Sequence, residues 1–376
     1  MVSLAQPADV LFVVNNPVAH GAKFSLAITR HIVSQSVSLV ADQRFSDSTL
    51  AVDVSFPGIS ASSLSTETNF RRLAFGMALR RRLPRGTRFL GSSCRLYAEY
   101  LFIAQAVRYL AAKSLISRLQ PHTLLLTDFD RAIYARPFVW AANAAGLTTA
   151  TLMHGSPNLA NYVPVLADYA LLWGDAQLEW IERHSPGTKS IVVGRPEIDL
   201  IPVARTPAKR IVVCHSRERL SRTEALMLVM QLRAFREEGM AIVLRLHPTV
   251  TKAQLDQRWA SVAELADVVV VGQSSLLSSL EASDVVVCVA SSSAVEAVEF
   301  GVPTVVIADS DRPLPADLEA IRANSPALLD ALKADGGAEQ KLVGDQLVSL
   351  SAHLVAAVGE KAGGLLDDAI SIIRAE

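Results

Sequence analysis

The sequence contains few cysteines and no long apolar run. Only three cysteines occur in 376 residues, and Cys94, Cys214 and Cys288 lie far apart without the spacing of a metal site. Because two of them sit inside valine-rich runs, we expect buried, reduced thiols, as in cytoplasmic proteins. No window approaches the roughly 18 apolar residues of a membrane span, and the N-terminus lacks the basic leader of a signal peptide. We therefore expect a cytoplasmic protein, with any membrane contact peripheral and at the inner face.

The chain also lacks an excess of charge of either sign. Its 36 Lys and Arg residues nearly balance 37 Asp and Glu residues, which argues against nucleic acid as a partner. The apolar fraction of 50% argues against a disordered scaffold. At roughly 150 residues per domain, the length favours two domains or one large one. Several catalytic motifs are missing too: the Walker loop, GxGxxG, HExxH, CxxC and GxSxG, so P-loop, dinucleotide, zinc-protease and common hydrolase chemistry lack support.

Short runs of Val, Ile and Leu alternate with segments of helical period along most of the chain. This alternation predicts an α/β fold, with two Rossmann-like parallel-sheet domains that face a cleft. Prolines and a glycine interrupt the pattern before residue 210. We therefore predict a first domain at 1–194, a linker at 195–209, a second domain at 210–350, and a C-terminal helix at 351–376 that packs back on the first domain.

The strongest site signal is the sequence Arg-Leu-His-Pro after the apolar strand Ala241–Leu246. Ligands of open parallel sheets bind at the carboxyl ends of strands. Strand alternation places Arg245 and His247 on one side, and Pro248 stiffens the turn that follows. A guanidinium beside an imidazole suits a phosphate or diphosphate, whereas the plainer alternative is a surface arginine and a capping histidine.

A second signal is the run Ser291, Ser292 and Ser293, which follows another buried strand. Hydroxyl and main-chain N–H groups at a helix start can bind an anion. The segment from Ser293 to Glu296 also fits a capping box, which needs no ligand. Glu296 and Glu299 share a helical face, so one can bind a ribose while the other is solvated.

In the first half, two strands end in polar groups. Asp128 and Asp130 follow one strand, and His154 follows the next strand in sequence. Adjacent parallel strands would bring these side chains to one rim. A histidine is the commonest general base near neutral pH, and a carboxylate can orient it.

One stretch departs from the neutral average, because eight arginines fall within residues 71–95. It is either a solvated helix face or a docking surface for a polyanionic acceptor or anionic lipid. The arginines singled out for this surface are Arg71, Arg72, Arg80, Arg81 and Arg82.

The order of these elements resembles a known family. HGSP, ADYALLWGD, IVVGRPEID, LRLHP and ASDVVVCVASSSAVEAVEFGVP are similar to segments of the GT-B glycosyltransferases of bacterial surface polymers. The likeness covers roughly residues 123–308 and is greatest to the polyglycerol-phosphate transferase and capsule polymerase group and to the bacterial polysialyltransferases. It implies that the second domain binds a nucleotide-activated donor, CMP-, CDP- or UDP-linked, and that the first binds a glycan or glycolipid acceptor.

The resemblance also implies roles for individual residues. His154 corresponds to the candidate base of that family. Arg245 and His247 correspond to ligands of the donor phosphates, and the three serines correspond to ligands of the phosphate or nucleotide. Glu296 corresponds to a ligand of the ribose. The second glutamate of the large retaining families is replaced by Cys288, which favours an inverting reaction. The double-acid element of the polysialyltransferases is matched only by Asp128 and Asp130, so the base stays undecided between His154 and an aspartate. We expect no metal and no resident cofactor.

Two other functions share this architecture. A non-hydrolysing UDP-sugar 2-epimerase uses the same two-domain cleft for elimination and readdition, but it leaves the arginine stretch without a use. A catalytically silent GT-B module would serve as a scaffold in a larger assembly. The oligomeric state is not indicated by the sequence.

Overall fold

Two parallel β-sheets carry the fold of the protein, seen here in a computed structural model. The residues that the structure describes are 8–14, 28–42, 54–56, 105–132, 134–198, 208–216, 219–247, 250–271, 276, 279–281, 283–289, 291, 293–333 and 347–376.

The first sheet contains seven strands among the described residues. They are β1 (Val10–Val13), β2 (Val37–Asp42), β3 (Val54–Phe56), β4 (Leu124–Thr127), β5 (Thr149–Leu152), β6 (Tyr169–Leu172) and β7 (Lys189–Val192). Their order is β3-β2-β1-β4-β5-β6-β7, and every pairing is parallel. Strands β1, β4, β5 and β6 are buried along their whole length, as expected of a parallel sheet covered on both faces.

The second sheet contains five strands within the described ranges. They are β8 (Arg210–Cys214), β9 (Ala241–Leu246), β10 (Val268–Val271), β11 (Asp284–Cys288) and β12 (Thr304–Val306). Their order is β10-β9-β8-β11-β12, again all parallel. The strand order reverses at β1 and β4 in the first sheet and at β8 and β11 in the second. In open α/β sheets, ligands bind outside the carboxyl ends of strands at such reversals.

Helices connect most of these strands. In the described part they are α1 (28–31), α2 (105–116), α3 (Arg136–Ala145), α4 (Leu159–Tyr162), α5 (Asp175–His184), α6 (Arg222–Glu237), α7 (Gln257–Ala263), α8 (Ser293–Glu299), α9 (Ala316–Lys333), α10 (347–354) and α11 (Gly359–Ala375). Helix α6 begins in a complete capping box, in which Ser221 Oγ accepts the Glu224 N–H at 3.0 Å and the Glu224 carboxylate accepts the Ser221 N–H at 2.8 Å.

The last helix of the chain packs on the first sheet. Leu366, Ile370 and Ile373 of α11 are buried against apolar side chains of β1 and β4. Asp9, next to β1, accepts a hydrogen bond from Arg374 Nη2 at 2.6 Å. The chain therefore returns from the second domain to the first, and α11 covers one face of the first sheet.

The α/β prediction is confirmed, with two parallel sheets and helices between the strands. Strands β8, β9 and β6 have the bounds that the apolar runs predict, and β3 and β7 are additions. Strand β7 is an edge strand with partly exposed residues, and β3 has only three residues, so neither carries the continuous apolar run of a buried strand. The helical period that follows β8 predicts a helix at 218–236, and the observed helix α6 starts four residues later, because Ser221 caps it.

The described cysteines are free and buried. Cys214 and Cys288 are register partners on β8 and β11, and burial raises the pKa of the Cys214 thiol to about 12. Cys94 lies outside the described residues. Among the described helices, none combines the length and the apolarity that crossing a bilayer requires.

Candidate active site

His154 lies just past the carboxyl end of β5, in the first domain. Its Nδ1 atom is 2.7 Å from the main-chain carbonyl oxygen of Asp128, which follows the neighbouring strand β4. A carbonyl oxygen only accepts hydrogen bonds, so Nδ1 carries the proton of the neutral ring. The lone pair is then on Nε2, and the ring has the tautomer that can take a proton at that atom. Asp128 and His154 therefore lie together at one edge of the sheet, as predicted, and the contact is made by the main-chain carbonyl of Asp128.

Two aromatic rings hold the His154 ring in place. The Phe129 ring lies edge-on to it at a centroid distance of 5.0 Å, and the Tyr162 hydroxyl lies 3.4 Å from Nδ1. Burial raises the pKa of Tyr162, so this phenol stays protonated. The imidazole is therefore oriented by one carbonyl and two rings, while the residue itself is exposed on the site side.

The second candidate base, Asp130, has a different environment. Its carboxylate accepts hydrogen bonds from the main-chain N–H groups of Leu166 and Ala167, and the residue is buried. Burial raises the pKa of this carboxyl group above its ordinary range, although both N–H groups oppose the shift. These contacts fasten the segment before β6 to the loop after β4, so the geometry favours a positioning role for Asp130.

Arg245 and His247 lie at the carboxyl end of β9, in the second domain. Both are partly exposed while Leu246 between them is buried, which agrees with strand alternation. Arg245 Nη1 donates to Ser279 Oγ at 3.1 Å, and the Arg245 carbonyl accepts the His215 N–H at 2.9 Å. The two predicted phosphate ligands therefore share one side of the sheet edge.

His215 is a second histidine at this edge, and the sequence analysis did not select it. It follows β8 directly, is 8% exposed and lies 4.7 Å from the Trp259 ring. Its Nδ1 atom is buried without a hydrogen-bond partner among the described residues. Burial lowers the pKa of His215, and His247 lowers it further, so the ring is neutral near pH 7. Its position in the sequence could have identified it as a candidate, because a polar residue directly after an apolar strand lies at the ligand-binding edge of the sheet.

The serine run lies where β11 gives way to α8. Helix α8 begins at Ser293, whose N–H donates to Ser291 Oγ at 3.3 Å. Ser291 Oγ therefore accepts a main-chain N–H at the start of this helix. Glu296 lies in the first turn of α8 and is partly exposed, so its carboxylate is accessible for the hydroxyl groups of a ligand.

Glu299 is buried and ion-paired, which corrects the expectation that the glutamate beside the ribose candidate is solvated. Both of its carboxylate oxygens accept hydrogen bonds from Arg195 Nη1, at 3.0 and 2.9 Å. The Arg195 guanidinium also lies over the Trp173 ring at 4.2 Å and pairs with Glu197. Although burial alone would lower the pKa of Arg195, its carboxylate neighbours raise it above the ordinary value. Burial raises the pKa of Glu299, but the double contact with Arg195 leads us to treat Glu299 as ionised.

This ion pair joins the two domains close to β7. Gly194, just before Arg195, has φ of 78°, and a Cβ at this position would collide with the main chain of Ala357. Only glycine tolerates both conditions. The Arg195 N–H then donates to the Ala357 carbonyl at 2.8 Å. The segment at 194–195 is therefore packed tightly between the second domain and the returning C-terminal segment.

The loop after His154 forms another contact between the domains. The first N–H groups of a helix have no partner inside the helix. At the start of α9, the Ala316 N–H donates to the Pro157 carbonyl at 3.2 Å and the Asp317 N–H to Ser156 Oγ at 3.3 Å. The HGSP element thus caps a helix of the second domain, which fixes the position of His154 relative to that domain.

Asp317 predicts a pH dependence of stability. Burial raises the pKa of its carboxyl group from 3.8 to about 6, so the folded chain keeps a proton that the unfolded chain releases between these values. The free energy of unfolding should fall as pH rises across this window, by about 3 kcal/mol for a shift of about two pH units. Urea unfolding at several pH values should show this fall in the parent protein and a smaller one in Asp317→Asn. The exposed control Asp368→Asn should keep the parent slope, and equal slopes in all three proteins would contradict the prediction.

Seven predicted site residues lie outside the described residues: Pro248, Ser292, Arg71, Arg72, Arg80, Arg81 and Arg82. Within the described ranges, no group of three or more His, Cys, Asp or Glu side chains is arranged to hold a metal ion.

Comparisons with known proteins support the fold. No protein-family model and no curated protein sequence matches the chain. Among solved structures, an α,α-trehalose 6-phosphate synthase from Burkholderia multivorans matches 98% of this chain and 99% of its own, with 13% identity and a TM-score of 0.55. The glycosyltransferase of kitacinnamycin matches the same shares, with 13% identity and a TM-score of 0.53.

A third structure is a putative UDP-N-acetylglucosamine 2-epimerase from Listeria monocytogenes. It matches 97% of this chain and 95% of its own, with 14% identity and a TM-score of 0.50. Another match, to the GtfA/B complex, spans 61% of that chain. At these identities the comparisons establish the fold alone: the chain has the two-domain GT-B architecture.

Proposed function

We propose that the protein is a glycosyltransferase that moves a sugar or a polyol phosphate from a nucleotide-activated donor to a glycan or glycolipid acceptor of the cell surface. The observation that carries the proposal is the contact between the His154 ring and the Asp128 carbonyl. Its Nδ1–H donates to the Asp128 carbonyl at 2.7 Å, so Nε2 is ready to accept a proton from a hydroxyl group. The GT-B fold supports the proposal, because the compared structures include the glycosyltransferase of kitacinnamycin and an α,α-trehalose 6-phosphate synthase.

The chemistry follows from the two sheet edges. His154 Nε2 takes the proton of the acceptor hydroxyl as that oxygen attacks the donor, which gives inversion in a single displacement. Arg245 and His247 stabilise the negative charge that develops on the departing phosphate. Ser291, Ser292 and Ser293 bind phosphate at the start of α8, and Glu296 binds the ribose hydroxyls. The proposed reaction uses no metal ion, since side chains supply both the base and the positive charge.

Thermal unfolding against CMP, CDP, UMP, UDP, GDP and dTDP tests the donor site. A ligand that binds only the folded chain stabilises it by RT ln(1 + [L]/Kd), about 2.7 kcal/mol at a hundredfold excess over Kd. We expect one nucleotide to raise the unfolding temperature. CMP or CDP would indicate a sialic acid, Kdo or polyol phosphate donor, and UDP a hexose donor.

Variants of the second domain sharpen this test. Arg245→Ala and His247→Ala should each weaken binding of that nucleotide by about ten- to a hundredfold, because each removes a charge-assisted contact of about 1.5–3 kcal/mol. Arg233→Ala, an exposed arginine on α6, is the matched control and should bind as the parent does. Unchanged binding in both site variants would refute their assignment as phosphate ligands.

The arginine stretch belongs to the same proposal. Eight arginines within residues 71–95 give the first domain a dense positive charge in a chain whose overall net charge is only −1. We assign Arg71, Arg72, Arg80, Arg81 and Arg82 to contact with an anionic acceptor or with anionic lipid headgroups at the inner face of the membrane.

A second candidate function is a UDP-sugar 2-epimerase. Elimination and readdition at C2 need more acid-base groups than a single displacement, and the neutral His215 beside His247 supplies an additional imidazole. Incubating the chain with UDP-N-acetylglucosamine and no acceptor, in deuterated water, separates the two functions. An epimerase incorporates deuterium at C2, whereas a transferase does not. A chain that binds no nucleotide and shows neither reaction would be the silent scaffold.

A further inference from the structure

A cavity of about 890 Å³ lies between the two domains, beside the loop that follows His154. The first domain contributes residues 158–161, at the start of α4, and the end of α5. The second domain contributes the segment 309–315, after β12, together with Ser221 and Glu319. This size is in the range of pockets that hold small ligands. None of its lining residues belongs to the proposed donor site.

The second-domain wall of the cavity is held by a buried network. Glu224, fully buried at the start of α6, accepts hydrogen bonds from Nε and Nη2 of Arg312. Ser221 Oγ donates to Asp309, and the Asp309 N–H donates to Glu224 at 3.3 Å. Pro313 and Pro315 further restrict the backbone of this segment. The wall is therefore formed before any ligand arrives, so binding does not have to order it.

The charges that line the cavity disfavour a phosphate ligand. Asp309, Asp311 and Glu319 supply three carboxylates. Arg183 and Arg312 supply two guanidinium groups, and Arg312 is already paired with the buried Glu224. An excess of carboxylate repels an anion, whereas ionised carboxylates accept hydrogen bonds from hydroxyl groups. The polar part of the lining thus suits a neutral ligand with many hydroxyl groups.

The apolar part of the lining suits the carbon face of such a ligand. Leu159 lines the cavity and is 54% exposed, so its side chain is accessible to a ligand there. The His184 ring stacks on Trp180 at a centroid distance of 4.4 Å, and its Nδ1–H donates to the Trp180 carbonyl at 2.8 Å. This hydrogen bond holds the His184 ring against Trp180. Apolar and aromatic surface next to hydroxyl-binding groups is the combination that a sugar ring requires.

The cavity is also connected to the proposed base. Helix α4 begins at Leu159, on the cavity, and ends at Tyr162, whose hydroxyl lies 3.4 Å from His154 Nδ1. A ligand that contacts residues 158–161 would therefore be separated from His154 only by the short helix α4.

We propose that this cavity binds a neutral, hydroxyl-rich part of the glycan acceptor. The ligand class rests on the proposed function, and the site itself rests on the cavity between α4, α5 and residues 309–315. The anionic part of the same acceptor would lie on the arginine stretch, so the two surfaces recognise different chemistry.

Isothermal titration with three neutral trisaccharides, maltotriose, mannotriose and chitotriose, tests the proposal. We expect at least one of them to bind with a Kd of about 1 mM or lower, and a titration up to about 20 mM sugar would saturate such a site. Any binding of the sialic acid trimer, which carries three carboxylates, should be the same in the parent and in Ala160→Trp, because the lining of the cavity repels it. Ala160→Trp, at an exposed position in α4, should fill the cavity and abolish binding of the neutral sugar.

Two further variants keep the test decisive. Ala144→Trp, on the exposed side of α3, is the matched control and should bind the trisaccharide as the parent does. Should Ala160→Trp fail to fold, Glu319→Gln with Asp311→Asn should weaken trisaccharide binding severalfold, since both hydroxyl acceptors lose their charge. The absence of binding by all three neutral sugars, or equal binding by Ala160→Trp and the parent, would overturn the proposal. Nucleotide binding in the same samples reports on the proposed function separately, because the donor site shares no residue with the cavity.

Discussion

The His154→Ala variant is expected to lose turnover by a factor of about 10²–10⁴, the usual contribution of a positioned general base. Its affinity for the donor nucleotide should stay unchanged, because His154 lies on the first sheet whereas the proposed phosphate ligands lie on the second. Single-turnover rates with the donor identified by thermal unfolding would measure the loss, and titration of the nucleotide would measure the affinity. A His154→Ala protein that loses nucleotide affinity would contradict this division of roles.

The same turnover measurement on an Asp130→Asn variant decides whether His154 or Asp130 is the general base. Asp130→Asn should change the free energy of unfolding little, because burial already disfavours the charge and the amide oxygen can still accept from the Leu166 and Ala167 N–H groups. Its turnover should fall far less than that of His154→Ala. A reversed order, with Asp130→Asn inactive and His154→Ala active, would make the aspartate the base. His122→Ala, an exposed histidine in the turn before β4, is the control for histidine replacement in general.

Much of the fold could be predicted because the buried strands are continuous apolar runs. Arg210–Cys214, Ala241–Leu246 and Tyr169–Leu172 match the observed strands, since a parallel strand covered on both faces must be apolar throughout. The position of His154 relative to Asp128 was also predictable, because residues after adjacent parallel strands meet at one edge. The edge strand β7 was not, because its partly exposed residues lack the apolar run.

The contacts between distant segments of the chain could not be predicted from local patterns. Glu299 has the helical spacing of a solvated residue, but its carboxylate is buried against Arg195, which is 104 positions away in the chain. His215 follows a strand as plainly as His247 does, but it lacks the Arg two residues before it and the Pro directly after it that made the second motif conspicuous. The network of Glu224 and Arg312 behind the cavity also joins distant segments. These pairings depend on how distant segments pack together in the fold. The periodicity of a single strand or helix carries no information about that packing.

The second large effect is expected at the ion pair between the domains. Glu299→Ala leaves Arg195 buried with only part of its negative partners, so the free energy of unfolding should fall by about 3–5 kcal/mol. Urea unfolding monitored by tryptophan fluorescence is a suitable measurement, because Trp173 lies 4.2 Å from the Arg195 guanidinium. The control is Glu376→Gln, which breaks the exposed pair with Lys189 and should change stability little.

A double variant distinguishes two causes of the stability loss: the loss of the ion pair itself, and the burial of an unpaired guanidinium. Arg195→Met with Glu299→Leu replaces both charges by apolar side chains, so it should recover part of the stability that Glu299→Ala loses, although Glu197 then loses its partner. A double variant as unstable as the single one would mean that the ion pair itself, and not the avoided burial of a lone guanidinium, holds the domains together. If the double variant is stable but turns over slowly, the pair serves mainly to fix the second domain relative to His154, since charge–charge geometry specifies an orientation that apolar contacts leave free.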